Sequence, residues 1–255
     1  MDEIFEKIRR ALITLVNVLK RPWVLAFSLE DFRFLSDRET LLYLKEKGVG
    51  IVRFGDADLR HLAGGSMWNQ KYSVELRRRL AEVLSGYTKD ATFLVALPLD
   101  LFFEGEKAYR KRGASPKRWR ALNYAALPFL KRNHVYGSPF CFKNINMTDA
   151  DKQEHIAMVR NLFENRDVIY MGNTEHAEDI LDIVAPRESI AVPSANAFDS
   201  YEDLLKKAVQ AAEKFANPVV LLTASSTATI LSADLNKRGI LAYDIGVPFP
   251  KKSKK

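Results

Sequence analysis

The stretch that decides the fold is Val168-Ile169-Tyr170-Met171-Gly172-Asn173, in which four apolar residues precede a small and a polar residue. A short apolar run that ends at a glycine is typical of a strand buried on both faces of a sheet. A helical pattern precedes this run, and a second helical segment follows it at about 176–183. The stretch therefore predicts one unit of a sheet whose strands alternate with helices.

Similar units are predicted along the rest of the chain. The predicted strands cover 51–54, 92–97, 189–192, 219–222 and 241–243, and the predicted helices cover 36–44, 74–85, 148–163, 200–215 and 228–237. Residues 100–133 are predicted to be mostly helical but irregular. Strands that alternate with helices indicate parallel pairing with right-handed crossovers. We therefore expect an α/β fold, a Rossmann-like layered domain with a mainly parallel sheet.

Length and composition limit the kind of protein. The chain has 255 residues, which suits one large domain or two small ones. We expect residues 1–30 to form an N-terminal helix and linker, 31–250 the main domain, and 251–255 a basic tail. Cys141 is the only cysteine, so no disulfide can form within the chain, which fits a reducing compartment. The sequence contains neither an apolar run long enough to span a membrane nor a signal-peptide pattern, so we expect a cytoplasmic location.

The N-terminal segment has an amphipathic pattern. Its apolar residues recur at helical spacing, and Pro22 ends the pattern; the apolar positions are Ile4, Ile8, Ala11, Leu12, Leu15 and Leu19. One interpretation is a helix packed on the domain or on a partner chain. The other is a basic amphipathic helix that lies on the inner face of a membrane.

The formal net charge of +7 admits two interpretations. The excess is spread over several clusters, which is typical of an ordinary solvated surface. It would also attract anions such as nucleotide phosphates, anionic lipid or nucleic acid. The clusters lack the interleaved aromatic residues of a single-strand binder, so nucleic acid is the least favoured of these partners.

Polar and small residues are concentrated directly after the predicted strands. In an open parallel sheet, ligands bind beyond the carboxyl ends of the strands. The segments at that edge are 55–58, 172–176, 193–198, 224–227 and 244–246. We therefore expect the functional site to be built from these five segments.

Asp56 and Asp58 are the sharpest feature among them. In an extended segment, residues two apart point the same way, so the two carboxylates could share Mn²⁺ or Mg²⁺, which would bridge phosphate oxygens. Gly55 would let the backbone approach a ligand closely. The alternative is a helix N-terminus, where aspartate is favoured by capping and by the helix dipole.

Other residues in these segments also have two interpretations each. Backbone and hydroxyl groups around Ser226 and Thr227 would suit a phosphate, or would simply cap a helix. Asn196 could contact a base or a sugar, or cap the helix that follows. Glu175 could act as a general base or be a carboxylate at a helix N-terminus, and Asp244 could bind a ligand or cap a turn. The chain contains no Gly-rich phosphate loop with its lysine, no zinc-site spacing and no Gly-x-Ser-x-Gly elbow.

Several motifs, in order, resemble the GT-D-type glycosyltransferases, a bacterial family once known only as a conserved domain of unknown function. The central motif is Ile51-Val52-Arg53-Phe54-Gly55-Asp56-Ala57-Asp58, which is similar to the family's strand and Asp-x-Glu metal motif. The others are Glu39-Thr40-Leu41, Gln70-Lys71-Tyr72, Pro193-Ser194-Ala195-Asn196-Ala197-Phe198 with Tyr201, and Thr227-Ala228-Thr229-Ile230-Leu231 with Asp234-Leu235, Gly239 and Asp244-Ile245-Gly246. The resemblance covers roughly residues 35–247.

The resemblance implies transfer of a hexose from a UDP-sugar to a glycan, a glycoprotein or a lipid-linked acceptor, with Mn²⁺ or Mg²⁺ held near Asp56 and Asp58. We expect catalytic roles for Asp56, Asp58 and Glu175. We expect donor-binding roles for Arg53, Gly55, Gly172, Asn173, Asn196, Ser226, Thr227 and Asp244. The alternatives are a metal-dependent phosphohydrolase or nuclease that uses the same carboxylates on water, and a non-catalytic nucleic-acid-binding protein.

The chain departs from the family pattern at several positions. Asp58 replaces the usual Glu, which keeps the charge and shortens the reach, and Ala57 replaces Gly. Ser225-Ser226 stands where Gly-Pro is common, Val247 where His is common, and Ser138 where many members carry Arg. These departures bear on the identity of the donor and the acceptor.

Overall fold

The computed structural model describes residues 32–98, 125–143, 148–173 and 178–246, together with Ile4, Ile8, Ala11, Leu12 and Leu15. The strands are β1 (Phe32–Phe34), β2 (Gly50–Arg53), β3 (Phe93–Ala96), β4 (His134–Tyr136), β5 (Asp167–Gly172), β6 (Glu188–Ala191), β7 (Pro218–Thr223) and β8 (Leu241–Asp244). The helices are α1 (Asp37–Lys47), α2 (Asp56–Leu62), α3 (Val74–Gly86), α4 (Asp149–Leu162), α5 (Glu178–Val184), α6 (Tyr201–Ala212) and α7 (Ser226–Lys237). Two short 3₁₀ segments, Leu127–Phe129 and Ala197–Ser200, connect them.

A six-stranded parallel sheet organises the chain. Its strand order is β3-β2-β8-β7-β5-β6, and every pair within it is parallel. A second sheet pairs β1 with β4, also in parallel. Gly137, just after β4, joins the two sheets, since its N–H donates to Val95 O at 2.9 Å and its carbonyl accepts from Leu97 N at 3.0 Å. The expected α/β fold with a mainly parallel sheet is confirmed.

Both faces of the sheet are covered by helices, which makes the domain three layers thick. Alternate residues of β7 belong to opposite cores, Val220 and Leu222 to one and Val219 and Leu221 to the other. The first core also takes in side chains of α3, α6 and α7, and the second those of α1, α4 and α5. This two-sided burial explains why the strands are continuous apolar runs instead of alternating ones.

Helix starts agree with the sequence because capping is a local interaction. Ser36 and Glu39 form a capping box, in which Ser36 Oγ accepts from Glu39 N at 3.2 Å and Ser36 N donates to Glu39 Oε2 at 2.8 Å. Thr148 caps α4 by accepting from Asp151 N at 3.2 Å. Of the two interpretations of the segment from Asp56, the structure shows the helix N-terminus, since the helix begins at Asp56.

α7 is the most buried helix among the described residues, and its Asn236 holds it to the sheet. Asn236 Nδ2 donates to Ser232 O at 2.7 Å and to Ala242 O at 2.9 Å, while Asn236 Oδ1 accepts from Ala242 N at 3.2 Å. A Cβ on Gly50 of β2 would lie 2.2 Å from Asn236 Oδ1, so this glycine makes room for the amide. The position of α7 relative to β2 and β8 is thereby fixed.

Two short strands were not predicted from the sequence. β1 and β4 have three residues each, too few to show a period of two, and only their mutual pairing makes them strands. Most of the irregular helical region expected at 100–133 lies outside the described residues, as does the basic tail at 251–255.

In the N-terminal segment, the five described residues are helical, as the periodicity predicts. Ile4, Ile8, Leu12 and Leu15 are 52% to 64% exposed, so these side chains are not buried against the described part of the chain. Among the described residues, no helix has the length and apolarity needed to cross a bilayer.

His61 of α2 gives the fold a measurable pH dependence. Its side chain is fully buried, and the loss of hydration lowers its pKa to about 4 from an ordinary 6.5. The unfolded chain therefore binds a proton that the folded chain refuses between these two values, and stability falls as the pH falls through that window. We expect the free energy of unfolding to drop by about 2 kcal/mol from this residue alone between pH 7 and pH 5.

Urea titrations at the two pH values would measure this effect. In His61→Leu the difference between the two pH values should shrink by about the same 2 kcal/mol. His134→Leu is the matched control, because the His134 ring bonds Arg132 O at the surface at 2.9 Å and its loss should preserve the difference. A wild-type pH difference in His61→Leu would contradict the prediction.

Candidate active site

A cleft of about 320 Å³ opens at the carboxyl ends of the strands of the main sheet. Strands β2, β5, β6, β7 and β8 all contribute residues at or just beyond their ends, as expected for an open parallel sheet. The lining includes Arg53, Gly55, Asp56, Asp58, Met67, Trp68, Asn69, Gln70, Lys143, Asn173, Pro193, Ser194, Thr223, Ser225, Asp244 and Gly246. The cleft therefore opens at the edge of the sheet where the sequence predicts a site, and residues from all five predicted segments line it.

Asp58 is a buried carboxylate in the first turn of helix α2. It is the third residue of α2, it is 3% exposed, and its Oδ2 accepts from Gly55 N at 2.7 Å. Its Oδ1 accepts from Thr229 Oγ1 at 2.8 Å. The capping and site interpretations of this carboxylate are therefore compatible, since a residue that caps α2 also lines the cleft.

The hydroxyl of Thr229 is shared by three acceptors. Besides Asp58 Oδ1, it lies 3.0 Å from Arg53 O and 3.3 Å from Asp244 Oδ2. A hydroxyl has one proton, so it can donate to only one of them at a time. Asp58 is the nearest acceptor, which leaves Asp244 Oδ2 in need of a proton or a cation.

Burial shifts both buried carboxyl groups toward the neutral form. It raises the pKa of Asp58, and the nearby Arg53 guanidinium opposes this shift. It raises the pKa of Asp244 to about 7, with Arg53 lowering it and the charge of Asp58 raising it further. Asp244 Oδ1 also accepts from Gly246 N at 3.1 Å, so this residue caps a turn as well as lining the cleft.

Arg53 is the cation at the base of the cleft. A Cβ at Gly55 would lie 2.5 Å from one terminal nitrogen of its guanidinium, and a Cβ at Gly246 would lie 2.5 Å from the other. Both glycines therefore make room for this side chain. Arg53 Nε is buried and has no hydrogen-bond partner among the described residues, and the residue itself lines the cleft.

The proposed metal ligands are arranged differently from the expectation. Asp56 and Asp58 are the first and third residues of a helix, so they do not project in parallel as in a strand. Both nevertheless line the same cleft. Within the described ranges, no three His, Cys, Asp or Glu side chains are grouped as a metal site. Two carboxylates still fit Mg²⁺ or Mn²⁺, which complete their coordination with substrate phosphates and water.

Lys143 is a site residue that the sequence did not reveal. It lies beside Phe140 in the segment after β4 and lines the cleft together with Arg53 and Asp56. Burial and the neighbouring Arg53 lower its pKa to about 8, while Asp56 and Asp244 oppose the shift. No motif surrounds Lys143, because a loop distant in sequence carries it to the cleft.

Asn196 does not cap the helix that follows, and its side chain is bonded to another loop. It is in the left-handed region with φ 51, and its side chain does not cap the helix that follows. Its Oδ1 accepts from Lys71 N at 2.9 Å, and its own N–H donates to Asn69 O at 2.8 Å. Asn196 therefore joins two loops at the rim of the cleft, and it is not among the residues that line the cleft.

Ser226 and Thr227 are buried residues that do not line the cleft. Both side chains are fully buried, and neither hydroxyl has a hydrogen bond of ordinary geometry among the described residues, although Ser226 lies close enough to lower the pKa of Asp58. Neither residue lines the cleft, so the cleft does not add support for their expected role in binding the nucleotide-sugar donor. Ser225, one residue earlier, lines the cleft instead.

Gly172 and Asn173 end β5 in different environments. A Cβ on Gly172 would lie 1.8 Å from Thr223 Oγ1 and 2.6 Å from the Tyr170 hydroxyl, so this glycine is required by packing. Asn173 lines the cleft, and its carbonyl accepts from the Tyr170 hydroxyl at 3.0 Å. Glu175, expected to be catalytic, lies outside the described residues.

Among the departures from the family pattern, Ser138 is structural. It is 2% exposed, its N–H donates to Thr40 Oγ1 at 2.9 Å, and its hydroxyl donates to Asp37. It thus ties the end of β4 to the start of α1, and it does not line the cleft. Val247 lies outside the described residues.

Comparison with known proteins agrees with this geometry. The family described as "Glycosyltransferase GT-D fold" matches residues 51–248. The chain belongs to this family. The match begins in β2 and ends just after β8, so it includes every strand of the main sheet and the cleft at its edge.

Two curated relatives and two solved structures are similar to this GT-D chain. The "Probable glycosyl transferase Gly" of Streptococcus gordonii is 30% identical over 221 residues, which are 83% of this chain and 31% of the relative. "Glycosyltransferase GlyD" of Streptococcus pneumoniae serotype 4 is 27% identical over 82% of this chain and 26% of its own length. The chain thus spans less than a third of either relative.

The solved structures are single domains of comparable size. A domain of unknown function 1792, described as having a distinct glycosyltransferase fold, superimposes with a TM-score of 0.69 at 25% identity and covers 86% of this chain and 79% of its own. A glycosyltransferase of the same domain type from Streptococcus sanguinis has a TM-score of 0.69 at 26% identity, with 84% and 81% covered.

Ser225 holds a strained backbone at the edge of the cleft. Its φ of 50 and ψ of −143 lie in a region that glycine adopts easily and other residues avoid. We expect Ser225→Gly to raise the free energy of unfolding by about 1 kcal/mol, because it relieves this strain. Thermal or urea unfolding would measure the change.

Ser225→Ala is the control for this prediction, since it removes the hydroxyl and keeps the Cβ. It should bring no gain in stability. Equal stabilisation by alanine and glycine would show that the hydroxyl, and not the backbone, is unfavourable there.

Proposed function

We propose that this GT-D domain transfers a hexose from a UDP-sugar to a hydroxyl group of a glycan, a glycoprotein or a lipid-linked acceptor. The observation that supports this most is the cleft itself, in which two cationic side chains, Arg53 and Lys143, face the carboxylates Asp56 and Asp244. A nucleotide-sugar donor carries a diphosphate that needs cationic partners, and the match to a glycosyltransferase family supplies the reaction class.

The diphosphate would lie between Arg53 and Lys143. Arg53 lines the cleft, and a guanidinium group forms charge-assisted hydrogen bonds to phosphate oxygens. Lys143, with its pKa near 8, is mostly protonated at neutral pH and would gain further protonation from an anion beside it. Together they place positive charge where the leaving group develops negative charge.

Asp56 and Asp58 would hold Mn²⁺ or Mg²⁺ together with the phosphates. When bound, such a cation would offset the charge of the diphosphate as it leaves. The hydrogen bonds from Gly55 N and Thr229 Oγ1 fix the Asp58 carboxylate while leaving lone pairs free on both of its oxygens. This preorganisation supports the metal role, because the ligand does not have to be ordered when the donor binds.

In the transfer, an acceptor oxygen forms a bond to the anomeric carbon while the bond from that carbon to the diphosphate oxygen breaks. The hydroxyl proton leaves to a base in the cleft. Asp244 can exchange a proton near neutral pH, since its pKa is about 7. Glu175, on the segment that follows Asn173, stays a predicted catalytic residue.

Turnover of a panel of nucleotide sugars would test this proposal. We expect nucleotide release from a UDP-hexose in the presence of Mn²⁺ or Mg²⁺, with loss of activity in EDTA and in Asp56→Asn. Lys143→Met should raise the donor KM about tenfold to a hundredfold, because a charge-assisted hydrogen bond is worth roughly 1.5–3 kcal/mol. Lys45→Met is the matched control, because Lys45 donates to Asn161 O and does not line the cleft. This variant should leave the donor KM unchanged.

The outcomes also separate the alternatives. Equal turnover of nucleotides that carry no sugar would indicate a phosphohydrolase, and cleavage of polynucleotides a nuclease. Binding of polynucleotide that weakens steeply with salt, with no turnover of any donor, would favour a nucleic-acid-binding protein. Any of these results would contradict the transferase proposal.

We also propose that the N-terminal helix contacts an anionic membrane surface from the cytoplasmic side. The exposed side chains of Ile4, Ile8, Leu12 and Leu15 support this, together with the net charge of +7. Such contact would bring the cleft close to lipid-linked or envelope acceptors.

Flotation with anionic and neutral vesicles would measure the membrane contact. We expect the protein to float with anionic vesicles at physiological salt, and Leu12→Glu with Leu15→Glu to reduce the bound fraction about tenfold. Leu42→Glu is the control, because Leu42 is 51% exposed on α1 and outside the N-terminal helix. Protein that stays in solution with anionic vesicles would contradict the proposal.

A further inference from the structure

Trp68 stands at the mouth of the cleft and is 86% exposed. Single apolar side chains on a surface are ordinary, but a tryptophan is a costly residue to leave in water, since it can bury 150–250 Å² on contact. A ligand in the cleft that covers the indole would remove this apolar area from water, and that burial would favour binding.

The turn that carries Trp68 is held in place by hydrogen bonds. Met67 N donates to Gln70 O at 2.9 Å, which closes the turn around the indole. The buried Gln70 accepts from Phe198 N at 3.2 Å through its Oε1, and Asn69 O accepts from Asn196 N. The hydrogen bonds of Asn196 to Lys71 N and Asn69 O therefore also hold this turn in place. Trp68 is presented by a fixed backbone, so stacking on it costs little additional ordering of the main chain.

Next to Trp68, an acceptor atom is unused. Asn69 Oδ1 is buried, and it has no hydrogen-bond partner among the described residues. Asn69 also lines the cleft. A buried amide oxygen without a donor is unfavourable. Because Asn69 lines the cleft, a rotation of its side chain would bring this oxygen to a ligand hydroxyl that satisfies it.

We propose that Trp68 and Asn69 form the acceptor-sugar subsite of this domain, in which a pyranose ring packs its C–H face on the indole and donates a hydroxyl to Asn69 Oδ1. This inference rests on the transferase function proposed above. Arg53, Lys143 and Asp58 also line the cleft, and they suit the diphosphate of the donor because they are charged. Trp68 and Asn69, on the loop between α2 and α3, are uncharged, and the exposed indole suits a neutral ring that enters from solvent.

The subsite can be tested on the full chain with UDP and Mn²⁺ present. The probes are methyl glycosides of glucose, galactose and N-acetylglucosamine and their disaccharides, measured by saturation-transfer NMR and by titration calorimetry. We expect Trp68→Ala to weaken the binding of at least one of these sugars about tenfold, and Trp68→Phe to keep most of the affinity. Asn69→Leu should weaken the same sugar, and the affinity for UDP should be unchanged in all three variants.

Leu42→Ala is the matched control, because it removes an exposed apolar side chain outside the cleft. The proposal is overturned if no sugar in the panel binds the wild-type protein, or if Trp68→Ala binds sugars as the wild type does. It is also overturned if Trp68→Ala loses affinity for UDP instead, since the indole would then stack on the nucleobase. Sugar binding that depends on Trp68 in a protein that turns over no donor would leave the subsite standing and refute the transferase proposal.

Discussion

The site depends on the hydroxyl of Thr229, a fully buried group on the most buried helix described in the chain. It lies within 3.3 Å of three acceptors, which are Arg53 O at the end of β2, Asp58 Oδ1 in the first turn of α2 and Asp244 Oδ2 at the end of β8. One proton cannot satisfy three acceptors at once, so this junction is short of hydrogen-bond donors. Burial shifts both carboxyl groups toward the neutral form, and the neighbouring Arg53 guanidinium opposes that shift.

This constraint also explains the layout of the cleft. Charge is concentrated on the sheet side, where strand ends bring Arg53, Asp58 and Asp244 together from distant parts of the sequence. Trp68, Asn69 and Gln70 line the cleft from the loop between α2 and α3, which is bonded to the loop after β6 through Asn196 and Gln70. In the transfer proposed above, the charged donor would contact the strand ends and the acceptor would contact these loops.

Local patterns predicted the elements well, and they predicted the contacts of single residues poorly. The capping box at Ser36 and Glu39 was confirmed because its partners are three residues apart. Asn196 and Ser226 stood in plausible motifs, but the first bonds a loop over a hundred residues away and the second is enclosed in the core. Lys143 had no motif at all, since only the path of its loop brings it to the cleft.

From the sequence alone came the α/β class, the order along the chain of the helices and of the strands of the main sheet, and the edge of that sheet at which the cleft opens. Hydrophobic period, caps and strand-end residues are short-range signals, and the carboxyl ends of parallel strands must share one edge. Only the tertiary structure decided which polar groups face the cleft, which are enclosed, and which lack partners. Burial and hydrogen-bond geometry depend on segments that are remote in the chain, and no local pattern of residues encodes that proximity.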